Sequence, residues 1–357
     1  MKWLSLKKRE EIPAKKAWLI RIVAVVLSVL CAGLVILLLG FHPFVTFGEI
    51  IKGALGSKIR LTQTVLKAVP LTITTLGIII AFKMKFWNIG GEGQIMMGAL
   101  AASIVALNFP DMPRGLLLLC MGIAAIIGGG LWAFIPAFFK AKMGTNETIF
   151  TLMLNYLAIK FVTYLQYGPW RDPGSKGFPK VADFTQNAVL PNVFGLHIGW
   201  IIALLLTVAI FLFMNYTKKG YEVSVVGESI DTARYAGMNI QSVIITAMLI
   251  SGGLCGLTGM IQASAIEKTL TYSLSAGMGF TAIITAWLSR LNALASLFVC
   301  IAFAVLLQGG AYIQISMQIP AAVADMIQGI LLFFVLSSEF FLQYKVNFHL
   351  KKAKGVA

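Results

Sequence analysis

Gly115-Leu-Leu-Leu-Leu-Cys-Met-Gly-Ile-Ala-Ala-Ile-Ile-Gly-Gly-Gly-Leu-Trp-Ala-Phe-Ile-Pro136 contains no charged residue. A helix rises about 1.5 Å per residue, so a run of this length reaches across the roughly 30 Å hydrocarbon core of a bilayer. Comparable apolar runs lie at 18–40, 62–82, 91–107, 147–166, 198–214, 243–263, 277–290, 294–311 and 321–338. The pattern predicts an all-α polytopic integral membrane protein of about ten transmembrane helices. With 58% hydrophobic and 12% charged residues, the chain has too few charges to solvate an ordinary globular surface.

The run from residue 18 follows a basic segment with Lys7, Lys8, Arg9, Lys15 and Lys16. Its apolar core is too long for a secretory signal and no small-x-small cleavage site closes it, so it reads as an anchor. The expected layout is a cytoplasmic basic segment over 1–17, a transmembrane domain over 18–338 and a cytoplasmic tail over 339–357. An outer loop at 167–197 and an inner loop at 215–242 interrupt the spans. This orientation puts most Lys and Arg inside, so the net charge of +15 reads as topology. The basic residues form no amphipathic stripe interleaved with aromatics, which argues against nucleic acid. Cys31, Cys120, Cys255 and Cys300 each sit in an apolar run, while His42, His197 and His349 are far apart, so no metal set or Ser-His-Asp arrangement emerges.

Two polar stretches interrupt this apolar chain. Phe86-Trp-Asn-Ile-Gly-Gly-Glu-Gly-Gln94 brings Asn88, Glu92 and Gln94 together with three glycines at the edge of a span. One reading is a loop entering a helix, with Asn88 as cap and Glu92 favoured by the helix dipole. The other is a broken helix at membrane depth, which protein or a water-filled cavity must surround, as in many transporter sites. The span at 147–166 places Thr148, Thr151, Asn155 and Gln166 on one face and Tyr156, Lys160, Thr163 and Tyr167 on an adjoining stripe. Interhelical hydrogen bonding and a translocation path both account for that polarity.

In the span at 243–263, Gly252, Gly253, Gly256 and Gly259 suit close helix approach. Within the inner loop, Ser229-Ile-Asp-Thr-Ala-Arg-Tyr-Ala-Gly237 reads as a short helix, with Ser229 as cap, Asp231 in the first turn and Gly237 as the stop. No Gly-x-x-x-x-Gly-Lys-Ser/Thr loop occurs, so an ATPase serving this chain is a separate polypeptide.

Three blocks carry a family resemblance: Asn88-Ile-Gly-Gly-Glu-Gly-Gln94, Asn146-Glu-Thr-Ile-Phe-Thr-Leu-Met-Leu-Asn-Tyr-Leu-Ala158, and Tyr235-Ala-Gly-Met-Asn239 preceded by Val226-Gly227. With Met326-Ile-Gln-Gly-Ile-Leu-Leu-Phe-Phe-Val335 they span most of the chain, which resembles the nucleoside-type permeases of ABC importers. It departs from them in lacking an arginine just before Val226 and in having Gly279-Phe-Thr-Ala in place of Gly-Phe-Asp-Gly.

The resemblance implies a permease in the bacterial cell membrane that carries a nucleoside, with a simple sugar as the alternative. It also implies as partners a second, non-identical permease, ABC ATPase subunits that use the ATP, and an external substrate-binding lipoprotein. No cofactor is expected on this chain. Asn88, Glu92, Gln94, Thr148, Thr151, Asn155 and Tyr156 become the candidate path residues. Gly227, Ser229, Asp231, Arg234, Tyr235 and Gly237 become the candidate ATPase-coupling residues. The rival from another class is an ion-driven secondary transporter using Glu92, Lys160 and Asp325.

Overall fold

The computed structural model describes residues 4–8, 13–175 and 177–348. Of the expected terminal segments, 1–3, 9–12 and 349–357 lie outside the described residues, as does Lys176 of the outer loop. The described chain is almost wholly helical. Seven of its helices are long and apolar enough to cross a membrane.

The chain divides into two compact units, one of Lys58–Ala304 and one of Met1–Ser57 with Val305–Ala357. In the second, α1 (Ala14–Leu38) packs on α13 (Ala321–Gln343), alongside α2 (Pro43–Leu55) and the end of α12 (Ala293–Ser316). Its core is Ala32, Ile36, Ile50, Ile313, Ile319, Ala324 and Ile327. Strand β1 (Leu4–Lys8) pairs antiparallel with β4 (Tyr344–Phe348), a small sheet that the apolar pattern did not foreshadow.

Helix α2 also went unforeseen, in the stretch between the first two expected spans. Pro43 occupies its first turn, and Thr46, Ile50, Gly53 and Ala54 form its buried face.

The larger unit holds α3 (Lys58–Lys83), α4 (Gly91–Asn108), α5 (Arg114–Met143), α6 (Glu147–Tyr167) and α7 (Gly199–Tyr216). It continues with α8 (Lys218–Glu228), α9 (Ile230–Tyr235), α10 (Ile240–Ile261), α11 (Met278–Leu288) and the start of α12. The centre is α3, where Ile73, Leu76, Ile78, Ile79 and Ile80 are fully buried.

Helices α4, α5 and α10 interlock through small residues. A Cβ on Gly256 would strike the Ala125 carbonyl, one on Gly252 would strike Ala133, and one on Gly259 would strike the Ile95 carbonyl. Such close backbone approach is how helices associate where lipid supplies no hydrophobic drive.

Two expectations are revised. The stretch expected as a span at 277–290 is an 11-residue helix, α11, that covers only about half the bilayer. The inner loop holds α8 in addition to the short helix read there, because Thr217 caps α8 by accepting from the Gly220 amide at 3.1 Å.

Candidate functional site

Helix α3 ends at Lys83, and the chain turns through Met84–Gly90 without helical pairing before α4 begins at Gly91. This turn is buried: Asn88 is 0% exposed, and it meets α10 at Ser251, about 17 Å along that helix from its start. Irregular backbone at that depth needs protein partners, and here it has them.

The Asn88 Oδ1 accepts from the Gly90 amide and from Gln94 Nε2, both at 3.0 Å. Its Nδ2 donates to Gln94 Oε1 and to Ser251 Oγ, both at 3.2 Å. From α6, Asn155 accepts from the Gly93 amide and donates to the Ile89 carbonyl, both at 2.8 Å. Thr151 accepts from the Ile89 amide at 3.2 Å and donates to the Glu147 carbonyl at 2.7 Å. The segment is thus both a loop and a helix start, but Asn88 pins the turn itself.

Glu92 reaches the opposite way. Its Oε1 accepts from the Gly279 amide at 2.6 Å, and Ser275 and the Gly277 and Phe280 backbones also hydrogen-bond to it. Helices α4 and α11 therefore meet N-terminus to N-terminus. Both ends carry partial positive charge, and the carboxylate lies between them. A Cβ on Gly279 would come within 2.5 Å of the Glu92 amide nitrogen, so this approach requires glycine.

The structure brings Asn88, Glu92, Gln94, Thr151 and Asn155 into one region. Thr148 is half-buried on the same helix, while Tyr156 is 60% exposed and turned away. The buried face of α6 is Glu147, Thr151, Asn155, Ala158, Val162 and Gln166. Lys160 and Asp325, the other charges of an ion-coupled scheme, are exposed.

Sequence reasoning missed Ser251, Ser275 and the Thr74–Thr258 and Thr75–Thr285 contacts at 3.1 and 2.6 Å. Single hydroxyls in apolar runs give no signal until a partner is known.

The loop 167–197, expected on the outer side, folds over the chain that follows α10. Thr269 Oγ1 donates to the Val181 carbonyl at 2.9 Å, and Ser264 Oγ donates to the Ala188 carbonyl at 2.5 Å. Among the described residues, the buried polar atoms without a hydrogen-bond partner include Trp132 Nε1, His197 Nε2, Trp200 Nε1, Gln262 Oε1 and Thr271 Oγ1. Burial holds the His197 imidazole below its ordinary pKa.

In the inner loop, Ser229 Oγ accepts from the Thr232 amide at 3.2 Å to start α9. The helix ends with Gly237 at φ +73°, its amide bonded to the Arg234 carbonyl and the Met238 amide to the Ala233 carbonyl, both at 3.0 Å. This is a Schellman stop. Asp231 and Arg234 form an exposed pair at 3.7 Å, and Tyr235 is 93% exposed. Gly227 packs against the Lys83 carbonyl at the end of α3, so the loop rests on the same turn that carries Asn88.

Residues 60–336 match the family described as branched-chain amino acid transport system / permease component. A glucose ABC transporter permease protein of Haloferax volcanii is 33% identical, over 96% of this chain and 93% of its own length. A guanosine ABC transporter permease protein of Bacillus subtilis is 30% identical over 94% and 96%. A nucleoside ABC transporter permease protein of Lactococcus lactis subsp. cremoris is 28% identical over 95% and 94%. The chain belongs to the branched-chain amino acid transport permease family and is a multi-pass membrane permease of the ABC transporter class.

Proposed function

We propose that the chain lines the import path for a nucleoside in an ABC importer. It pairs with a second, non-identical permease, with ATP-binding subunits that supply the hydrolysis, and with an external binding lipoprotein. The support for the cargo is the near full-length similarity to nucleoside and guanosine permeases. A simple sugar is the second reading, favoured by the 33% identity to the glucose permease. The two cargoes share a hydroxyl-bearing ring.

Both chain ends lie in the cytoplasm in this scheme, with 18–338 as the membrane domain. That places α9 on the ATPase side, where its exposed Arg234 and Tyr235 offer docking contacts. The buried pairing of Asn88, Gln94, Thr151 and Asn155 supports the inner break as the framework of the path. Glu92 ties that framework to α11.

The test is competition for uptake by the assembled importer in vesicles, using guanosine, uridine, ribose and glucose. Uptake of guanosine and uridine, unaffected by excess glucose, is expected. Uptake of glucose alone would replace the nucleoside reading with the sugar one.

A further inference from the structure

Ser251 and Thr258 of α10 form a polar stripe, and Gln262, the residue after the helix ends, follows at a spacing that keeps it on the same face. Ser251 is taken by Asn88 at 3.2 Å and Thr258 by Thr74 at 3.1 Å. Gln262 continues the stripe and is only 8% exposed, yet its Oε1 has no partner. Its Nε2 reaches only Met278 Sδ, at 4.0 Å. Exchanging the amide's oxygen and nitrogen leaves the oxygen unpaired all the same, because it then faces a thioether, which has no hydrogen to donate.

Gln166, in the same unit, shows what a satisfied amide looks like: it donates to the Pro179 carbonyl and accepts from the Tyr272 amide, both at 2.9 Å. Buried amides are normally paired, so the exception calls for an explanation.

The position of Gln262 supplies one. It opens the π-helical turn Gln262–Glu267, a geometry that recurs at functional sites. Met278, its neighbour, is the first residue of α11 at the junction where Glu92 is bound.

We propose that Gln262 is a solute-contact residue: its side-chain carbonyl accepts a hydrogen bond from an O–H or N–H of the cargo as it passes. A neutral amide beside a thioether brings no charge and suits a neutral, donor-rich ring compound. The inference rests on the permease reading and deepens it.

The test uses the complete importer in vesicles, with Cys31, Cys120, Cys255 and Cys300 replaced by Ala in this chain. Gln262→Cys should react with a small hydrophilic methanethiosulfonate about tenfold faster during ATP turnover than without ATP. Ala263→Cys, at a fully buried neighbour, is the sealed control. Labelling no faster than at that control, with or without ATP, overturns the proposal.

Gln262→Met keeps the side-chain length and removes the acceptor. Guanosine uptake should fall about fivefold to tenfold, the weight of one hydrogen bond, while ATP turnover holds and thermal stability holds or rises. Unchanged uptake, or a parallel fall in all three, makes Gln262 a packing residue and also overturns the proposal. An importer that carries glucose and not guanosine sinks the nucleoside reading alone, and the same Gln262 comparisons are then read with glucose.

Discussion

The turn before α4 and the stretch after α10 both interrupt helices inside the protein, and they treat their polar groups differently. In the first, Asn88 and Gln94 pair side chain to side chain, and Asn155 and Thr151 bond to the Ile89 and Gly93 backbone. In the second, Gln262 and Thr271 keep buried polar atoms unpaired, and so do His197 at the end of the 167–197 loop and Trp200 at the start of α7. A paired network fixes one geometry, whereas unpaired groups carry a cost that a change of state or a bound solute relieves. The turn before α4 is held by its network, with Trp132 Nε1 beside Gly93 the unpaired atom there, while the stretch after α10 leaves more of its polar groups unpaired.

Asn88→Leu attacks the holding side and carries the largest expected effect. It strands the Gln94 amide, the Gly90 N–H and the Ser251 hydroxyl, at a cost of roughly 3–5 kcal/mol. Thermal unfolding in detergent reads this. Thr271→Val, which removes a buried hydroxyl already without a partner, should raise stability by roughly 1 kcal/mol. Equal effects of the two variants would erase the contrast.

Next is Gly93→Val, whose Cβ would lie 3.0 Å from both Asn155 Oδ1 and Trp132 Nε1. Overpacking of about 1–3 kcal/mol should accompany a clear loss of uptake at normal expression. Lys180→Ala, at an exposed ion pair in the outer loop, should leave uptake unchanged. Normal transport by Gly93→Val would show that the inner break tolerates movement.

Gly237→Val places a β-branched residue at φ +73° and should cost the α9 stop about 1–2 kcal/mol. Combined with Arg234→Glu, it should lower solute-stimulated ATP turnover several-fold without preventing membrane insertion. Wild-type turnover and wild-type co-purification with the ATPase would move the coupling role elsewhere.

The smallest effect concerns pH. The His197 pKa is depressed by burial in the folded state, so the unfolded chain binds the proton more readily. The stability from this group is full above the unfolded value of about 6.5 and declines as pH falls below it. His197→Asn should flatten that part of the stability profile. An unaltered slope in the variant would assign it to other groups.

The sequence exposed the spans and the two polar stretches because apolar length and helical periodicity are local properties. Ser229, Asp231 and Gly237 announced α9 for the same reason, since a helix cap depends on neighbours within a turn or two. Glu92 was legible as unusual, but its partner at Gly279 lies 187 residues away and carries no side chain to signal the contact. Gln262 sits in a long apolar run, where only the three-dimensional arrangement reveals that its amide oxygen has nothing to bond. Helix α11 was read as a full span because hydropathy cannot tell half a crossing from a whole one when irregular chain supplies the rest.

The pairing of β1 with β4, and of α1 with α13, has a consequence for biogenesis. Helix α1 meets α2 at once, but it finds α13, against which it packs more extensively, only when that helix emerges about 300 residues later. At about 5–20 residues per second this is a wait of about 15–60 s. Throughout that time the small residues of α1 that end up buried, Ala32 among them, face lipid or an insertion chaperone. Ribosome stalling before α13 emerges should therefore leave α1 open to cross-linking by the insertion machinery long after the unit Lys58–Ala304 has been made.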